Sequence, residues 1–352
     1  MDEQTANQII HVGILSCAHS GHAGSYSSAL EKIDGADLAA IYDEDAERGQ
    51  QFADQFGVPY TKNLDELLQR EDIQCVIVCS PTDQHRELVC AAAKAGKHVL
   101  CEKPIATSIP DAKRMIEVCH AEGVLLQIPF VCRFYPTLQA AKRLVQNGEL
   151  GNILGAVGGN RGVPPLPPAY PGWIVDPIQA GGGALMDHSV HVSDAMRFIF
   201  ETEVSSVFAE KSSFHRYELA VEDCGVIALT FQNGMIGTID PSWSIPGKNP
   251  YHYDFYLRIL GEKGVIDLDD TRQALTVISD RPEQPGVSSQ PFGLDVDLEM
   301  LRHFVRCVRM GENLFPAATG EDGLRALEIA LAAYDSIREH QPVTLNDQRS
   351  VL

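Results

Sequence analysis

The hydrophobic pattern of the chain up to Phe130 alternates short apolar runs with longer amphipathic stretches. The apolar runs contain too few polar positions to be half-exposed, so they predict buried parallel strands. The stretches between them have helical periodicity, and the alternation is typical of βαβ units with helices on both sheet faces. The predicted strands are Ile9–Leu15, Leu38–Tyr42, Cys75–Cys79, His98–Cys101 and Val124–Ile128, and the helices include Glu44–Phe56, Asp83–Ala95 and Ile109–Ala121. We therefore predict an α/β fold with a doubly wound parallel sheet in residues 1–130.

A different pattern begins after Phe130. A helix, a Gly-rich strand region, a Pro/Gly-rich loop and a long helix are predicted at Pro136–Asn147, Gly151–Gly162, Gly162–Gly172 and Ala184–Phe200. Several strands joined by tight turns then predict an antiparallel or mixed sheet. These strands are Val204–Phe214, Gly225–Phe231, Met235–Trp243 and Tyr253–Leu260, and the closing helices are Asp295–Met310 and Asp322–His340. We predict that residues 131–352 form a second, α+β domain, whose final helices can pack back on the first domain.

The charge balance narrows the choice of partners. The chain has 28 basic and 48 acidic residues, for a formal net charge of −20, and the acidic residues are spread along the sequence. Such a surface repels nucleic acid and anionic membranes, so we expect neither as a partner. No apolar run reaches the roughly 18 residues of a membrane span.

The cysteines and the first residues favour one compartment. The nine cysteines are an odd number, none is spaced as C-x-x-C, and several fall in predicted buried strands. This usage is typical of reduced thiols in a protein core. The segment Met1–Gln4 is acidic and lacks the basic and apolar regions of a signal peptide. We therefore expect a cytoplasmic protein.

The first βα turn reads G-I-L-S-C-A-H-S-G and ends the opening strand. A dinucleotide-binding turn has the pattern G-x-G-x-x-G, and here Ser16, Ala18 and Gly21 occupy the three glycine positions. Ser and Ala are small, so a phosphate can still approach the backbone N–H groups at the helix start. An ordinary βα turn remains the alternative interpretation. The candidate cofactor-binding residues of this turn are Ser16, Ala18, His19, Ser20 and Gly21.

Asp43 ends the second predicted strand, where a carboxylate can bind both hydroxyls of an adenosine ribose. Glu44 and Asp45 follow it, and no Arg or Lys occurs before Arg48. A 2′-phosphate would be repelled there, so we predict NAD rather than NADP as the cofactor. In the alternative interpretation, Asp43 is only the N-cap of the following helix.

Two further strand ends carry polar residues. Ser80, Thr82 and His85 follow the C-V-I-V-C strand and are candidates to line a nucleotide groove, although they can equally form a helix cap. Glu102 and Lys103 stand before a proline at the end of the next strand. Ligands bind at this sheet edge in open α/β folds. Glu102 and Lys103 are therefore candidates for cofactor binding, and Lys103 also for substrate binding and proton transfer. The alternative for E-K-P is an ordinary surface turn.

A second cluster of chemically active residues follows the three glycines from Gly181. Asp187 and His191 are four residues apart, so they share one face of the predicted helix. His exchanges protons near neutral pH, and Asp187 is expected to raise its pKa more than the helix N-terminus lowers it. His188 is a further candidate for substrate contact. The alternatives are a metal site of Asp187, His188 and His191, and simple capping with core packing.

Three more residues are candidates for substrate binding. Arg133 and Tyr135 follow the last parallel strand, so we expect them to face a cleft between the domains. Trp173 stands beside the Pro-rich loop and can stack on a sugar ring, or it can belong to the core.

The order of these motifs resembles the glucose–fructose oxidoreductase and inositol dehydrogenase (Gfo/Idh/MocA) family. The resemblance runs from about Val12 to the final helix and includes G-E-K-G-V-I-D-L at Gly261–Leu268. It implies a Rossmann domain, a C-terminal domain with a large open, mostly antiparallel sheet, and bound NAD(H) or NADP(H). Lys103, Asp187 and His191 match the catalytic Lys, Asp and His of the family.

The resemblance also implies an activity and an assembly. We expect hydride transfer between nicotinamide and a secondary hydroxyl of a sugar or cyclitol. The alternatives are a glycoside hydrolase that oxidises its substrate transiently with the same NAD, and a sensor that binds NAD without turnover. Pairing of the C-terminal sheets implies a homodimer or homotetramer. No metal is expected.

Overall fold

The computed structural model describes residues 9–213, 219–249, 253–269, 274–279, 286–291 and 293–345. The first four residues and Phe214, which the sequence predictions used, lie outside the described residues.

The N-terminal half is built on a sheet of mostly parallel strands, as predicted. Its strand order is β15-β6-β5-β4-β1-β2-β3, and β1, the first strand in the chain, lies in the middle. The strands are β1 (Ile10–Leu15), β2 (Ala36–Tyr42), β3 (Tyr60–Thr61), β4 (Ile73–Val78), β5 (His98–Cys101), β6 (Leu126–Ile128) and the antiparallel β15 (Ala318–Thr319). This order places the chain reversal between β1 and β4, where doubly wound sheets bind their ligands.

Helices cover both faces of this sheet. Several begin at side-chain caps that the sequence supplies, such as Asp45 and Ser108, whose oxygens accept hydrogen bonds from amides of the first turn. The helices are α1 (Ser20–Leu30), α2 (Ala46–Phe56), α3 (Leu64–Leu68), α4 (His85–Lys94) and α5 (Ile109–Ala121). Because Asp45 is the N-cap of α2, the interpretation of Asp43 as that cap is wrong.

The C-terminal half has a second, mixed sheet in the order β12-β11-β7-β10-β9-β8-β16. Only β7 and β10 pair in parallel, so the prediction of a mostly antiparallel sheet is confirmed. Its strands are β7 (Ile153–Gly162), β8 (Val204–Ser212), β9 (Cys224–Phe231), β10 (Ile236–Asp240), β11 (Tyr253–Gly261), β12 (Val265–Asp269) and β16 (Val343–Thr344). A separate hairpin consists of β13 (Ala274–Ser279) and β14 (Gly286–Pro291).

Two helices belong to the C-terminal half, and two more, near the end of the chain, connect back to the N-terminal half. Helix α6 (Pro136–Gln146) packs on α7 (Ala184–Phe200), and α7 packs on the second sheet. Near the end of the chain, α8 (Val296–Met310) packs on α1, and α9 (Gly320–Glu339) contacts α5, α7 and β8. The last helices therefore pack on the N-terminal half as well as the C-terminal one. None of the described helices is long and apolar enough to cross a bilayer.

Candidate active site

Lys103 occupies the end of β5, at the edge of the first sheet where ligands bind. Its ammonium lies 2.5 Å from Oδ1 of Asp187 on helix α7. Lys103 is almost buried and Asp187 is partly exposed. This ion pair joins the two halves of the protein and brings together two of the three predicted catalytic residues.

The start of α7 is fixed by contacts with distant side chains. Glu222 accepts hydrogen bonds from the amides of Gly183 and Leu185 and from the Tyr334 hydroxyl. A Cβ at Gly182 would collide with Tyr334, and one at Gly183 would collide with Glu222. The glycines therefore allow close packing of these residues on the helix start, which positions Asp187 one turn later.

Asp187 has three side-chain neighbours that favour its charged form. Besides Lys103, the Trp243 indole N–H donates to Oδ2 at 3.2 Å, and His188 Nε2 lies 3.1 Å from the same oxygen. The other ring nitrogen of His188 bonds to the carbonyl of Asn160. Burial alone would raise the pKa of Asp187, but Lys103 and His188 hold it well below its usual value. Asp187 is therefore a permanent carboxylate.

His191 lies on the same face of α7, against the ring of Phe130. Burial lowers its pKa well below 6.5, and the positive charge of Lys103 lowers it further. The expectation that Asp187 raises this pKa above its usual value is therefore wrong, because burial and the charge of Lys103 outweigh the Asp187 carboxylate. The Nδ1 atom is buried without a hydrogen-bond partner among the described residues. A neutral imidazole next to an ammonium–carboxylate pair can accept a proton from a hydroxyl.

These residues line a cavity of about 570 Å³ between the two halves. Its wall includes the start of α1, the ends of β6 and β10, the Pro-rich loop and the start of α8. Lys103, Tyr135, Asp187, His188 and His191 all line it. Among the described residues that line the cavity, Lys103 is the one Lys or Arg, and three carboxylates line it as well: Asp187, Asp295 and Asp297.

The first βα turn fits a dinucleotide phosphate at the start of α1. Ser16 has a positive φ of 70° at the place of the first glycine, so the tight turn forms without it. Ser20 and Gly21 are exposed, and a Cβ at Gly21 would meet open space. Their amides belong to the first turn of the helix, whose N–H groups lack intrahelical partners. Ala18 is buried, and its carbonyl accepts from the Trp173 indole.

Asp43 is fully buried beside this turn. Its carboxylate accepts hydrogen bonds from the amides of Cys17 and Asp45 and from two nitrogens of Arg48. The guanidinium of Arg48 therefore lies beside the Asp43 carboxylate, where the sequence analysis expected no positive charge. A ribose hydroxyl can reach Asp43 only by replacing part of this pair.

Ser80 and His85 were also predicted to bind the cofactor, but they form hydrogen bonds within the protein at the strand ends and do not line the cavities. His85 is buried, and its ring bonds to the carbonyls of Ser80, Pro104 and Ile105. Ser80 is also buried, and its hydroxyl bonds to its own neighbour, Pro81. Both predictions of direct contact are corrected, because these polar atoms are used within the protein. Thr82 lines a small side cavity with His19, Lys103 and Trp173.

Arg133 does not face the cleft, and this prediction is also corrected. Its guanidinium forms a buried, bidentate pair with Asp194 of α7 and a second ion pair with Asp322 of α9. These contacts use its donors in the interior, so it connects three elements. Trp173 faces the phosphate turn and the small side cavity, with its ring edge on His19.

The sequence analysis missed several residues at this site. Glu102 was predicted to contact the cofactor, but it is buried and its carboxylate binds His22 and Tyr26 on α1, two residues that the sequence analysis missed. Trp243 and Glu222 were also missed, because they reach α7 from segments distant in sequence. Gly21, His22 and Tyr26 stand near the start of a predicted helix, and His22 and Tyr26 are four residues apart. This spacing was the local signal from which their shared face of α1 could have been predicted. No group of three or more His, Cys, Asp or Glu side chains in the described parts of the chain is arranged to hold a metal ion.

The fold and this site define an oxidoreductase with a nicotinamide dinucleotide cofactor. Residues 11–130 match the family model of the oxidoreductase family with an NAD-binding Rossmann fold. Residues 138–267 match the model of the GFO/IDH/MocA C-terminal domain. The chain belongs to the Gfo/Idh/MocA family and is an NAD-dependent dehydrogenase.

Two relatives and one solved structure illustrate the similarity. Myo-inositol 2-dehydrogenase of Thermotoga maritima is 33% identical over 348 residues, covering 96% of this chain and 99% of the relative. Scyllo-inositol 2-dehydrogenase (NAD(+)) of Bacillus subtilis is 27% identical, covering 99% of each chain. The crystal structure of a probable dehydrogenase from Thermotoga maritima superposes with a TM-score of 0.81 at 33% identity, covering 95% of this chain and 98% of that one.

Proposed function

We propose that this protein oxidises a secondary hydroxyl of an uncharged cyclitol or sugar, of the inositol type, with NAD. The observation that carries the proposal is the cluster of Lys103, Asp187 and His191 facing the cavity between the two halves. The inositol dehydrogenases among its relatives support a cyclitol as the substrate.

The charge of the cavity supports an uncharged substrate. Lys103 is the one Lys or Arg among the described lining residues, and Asp187 neutralises it. Asp295 and Asp297 line the same cavity and add negative charge. A substrate carboxylate or phosphate held beside Lys103 would lose its hydration without gaining an unpaired cation there, which is costly.

We assign the proton transfer to His191. Bound NAD supplies the hydride acceptor, so the substrate loses a hydride from carbon and a proton from oxygen as its carbonyl forms. The neutral imidazole of His191 accepts that proton, because its pKa is low enough to leave it unprotonated at neutral pH. Lys103 donates a hydrogen bond to the same oxygen, and Asp187 holds the ammonium in place.

The test is NADH formation, followed by absorbance, with a panel of matched substrates. Myo-inositol, scyllo-inositol and aldoses are compared with glucuronate and with sugar phosphates of the same ring size. We expect kcat/KM for an uncharged polyol to exceed that for its anionic counterparts by about 100-fold or more. Turnover of a glycoside without net NADH would instead support the hydrolase, and no turnover of any compound would support the sensor.

We also propose a homo-oligomer formed through the second sheet. One face of this sheet packs on α7, and the other face exposes apolar side chains. The strand register places these side chains together on the outer face: Val157, Phe208, Val226, Ile236, Leu260 and Val265. Burying such a face is favourable because it removes apolar surface from water.

Light scattering at micromolar concentration tests this assembly. We expect a dimer or tetramer for the wild type and a smaller species for Ile236→Lys, which places a charge in the middle of the face. Leu294→Lys, at an exposed apolar position outside the sheet, is the matched control. A monomeric wild type contradicts the proposal.

A further inference from the structure

Glu102 is a buried carboxylate next to the candidate catalytic lysine. The Tyr26 hydroxyl donates to Oε1 at 2.6 Å, and the Lys103 amide donates to Oε2 at 3.1 Å. The ammonium of Lys103 is bound to Asp187 and not to Glu102. A buried carboxylate without a cation is unstable, so a partner must supply the positive charge.

His22 is the group that supplies this charge. Its Nδ1 lies 2.8 Å from Glu102 Oε1, and its side chain lines the large cavity. Burial alone would lower the pKa of His22, but Glu102 outweighs burial and raises it above the usual 6.5. Asp297 of α8 acts in the same direction, and Lys103 opposes it.

The neighbouring imidazole of His19 stays neutral. The two rings stack with their centroids 3.8 Å apart, and His19 Nδ1 accepts a hydrogen bond from the His22 amide. Burial, followed by the charge on His22, lowers the pKa of His19 to about 3. Of the two stacked rings, His22 is therefore the one whose charged form is favoured.

The phosphate turn has few amides left to offer an anion. The Cys17 amide donates to Asp43, the Ala18 amide to its neighbour Ser16, and the His19 amide to the carbonyl of Cys79. The His22 amide is bound to the His19 ring. The exposed Ser20 and Gly21 remain as backbone donors at the helix start. A side-chain cation on the same turn compensates for the donors that the turn uses itself.

We propose that His22, as an imidazolium held by Glu102 and lying on the first turn of α1, binds the pyrophosphate of NAD. Helix N-termini of this fold receive the pyrophosphate, and an imidazolium adds a charge-assisted hydrogen bond to it. His22 thereby contributes binding energy for the pyrophosphate that the turn itself cannot supply, because most of its amides already bind groups within the protein. The inference rests on NAD binding by the family and not on the proposed substrate.

Isothermal titration calorimetry without any polyol tests this role. Three ligands are compared: NADH, ADP-ribose, which keeps the pyrophosphate, and adenosine, which lacks it. His22→Gln should raise the Kd of NADH and ADP-ribose by the same factor, about 10- to 100-fold, and leave adenosine unchanged. His120→Gln, at an exposed histidine of α5, is the matched control and should change none of the three.

A pH series gives an independent readout. Wild-type binding of ADP-ribose should weaken as pH rises through the raised pKa of His22, because only the imidazolium carries the charge. His22→Arg should restore tight binding of ADP-ribose and remove this pH dependence. If His22→Gln does not fold, the His22→Arg variant tests the role of His22 on its own. An unchanged Kd for ADP-ribose in His22→Gln, an equal loss for adenosine, or no rescue by His22→Arg overturns the proposal. A rise in substrate KM alone, with cofactor binding intact, overturns it as well.

Discussion

Helix α7 carries two charged clusters that differ in what surrounds them. Asp187 pairs with Lys103 at the cavity, and Asp194, two turns later, pairs with Arg133 in the interior. Each aspartate binds a cation that follows a strand of the first sheet. Both clusters pair an aspartate of the same helix with a basic residue, Lys103 in one and Arg133 in the other.

The difference lies in how completely the polar groups are satisfied. Arg133 has Asp194, Asp322 and the Ala317 carbonyl as partners, and Arg133 and Asp194 are both buried. At the other cluster, His191 keeps a buried ring nitrogen without a partner among the described residues and lines a cavity. A satisfied cluster holds elements together, whereas an incompletely satisfied one beside a cavity can act on a ligand.

The largest expected effect is on turnover at the cavity cluster. Lys103→Met removes the hydrogen-bond donor to the reacting oxygen and the partner of Asp187. We expect kcat to fall about 10²- to 10⁴-fold in steady-state NADH formation. Lys97→Met is the control, because Lys97 is a buried lysine whose ammonium binds the carbonyls of Arg70 and Ile73, away from the cavity. It should reduce stability and leave kcat close to wild type.

The opposite result is expected at the interior cluster. Arg133→Met leaves Asp194 buried without its cation, and such a change typically costs about 3–5 kcal/mol of unfolding free energy. Urea unfolding followed by circular dichroism measures this loss. At a temperature where the variant is folded, its kcat should stay within a few-fold of wild type. A catalytic loss as large as that of Lys103→Met would show that the two clusters are not separate.

A smaller effect is expected at the cofactor specificity site. The carboxylate of Asp43 repels a 2′-phosphate and forms an ion pair with the guanidinium of Arg48. Asp43→Ser removes the repulsion and frees Arg48, so the ratio of the NADP to the NAD dissociation constant should fall about tenfold or more. Adding Arg48→Gln should remove most of this gain. Tighter binding of NADP(H) than of NAD(H) by the wild-type enzyme would contradict the assignment of cofactor specificity to Asp43.

The smallest effect is a shift in a pH profile. Oxidation needs neutral His191, so the rate is full above its pKa and falls as pH drops through it. That pKa is held well below 6.5 by burial and Lys103, whereas Asp187 raises it. Asp187→Asn should therefore move the acidic limb of kcat/KM to still lower pH. Movement of the limb to higher pH would show that Asp187 does not act on His191.

The sequence predicted the cavity cluster better than the interior cluster, for a physical reason. Lys103 follows a recognisable strand, and Asp187 and His191 share a face within one helix, so local spacing reveals them. Arg133 also follows a strand end, and local spacing assigned it to the same cleft. Its partners Asp194 and Asp322 belong to helices distant in sequence, and only the tertiary fold brings the three residues together.

The same reasoning explains the other differences. Trp243 and Glu222 contact α7 from distant segments, so no sequence spacing could have predicted their contacts. The alternation of apolar and amphipathic stretches did predict the first sheet, because burial of whole strands is visible in local composition. Successive strands joined by tight turns predicted the second sheet. Asp43 was identified from its position, but its pairing with Arg48 depends on the geometry of one helical turn.

The central claim is that His191 transfers the proton at the cavity cluster. Single-turnover NADH formation with a polyol substrate tests it most directly, because this measurement excludes product release. His191→Ala should slow the turnover about 10²- to 10⁴-fold while the Kd of NADH stays within twofold of wild type. Near-normal single turnover in His191→Ala would contradict the account.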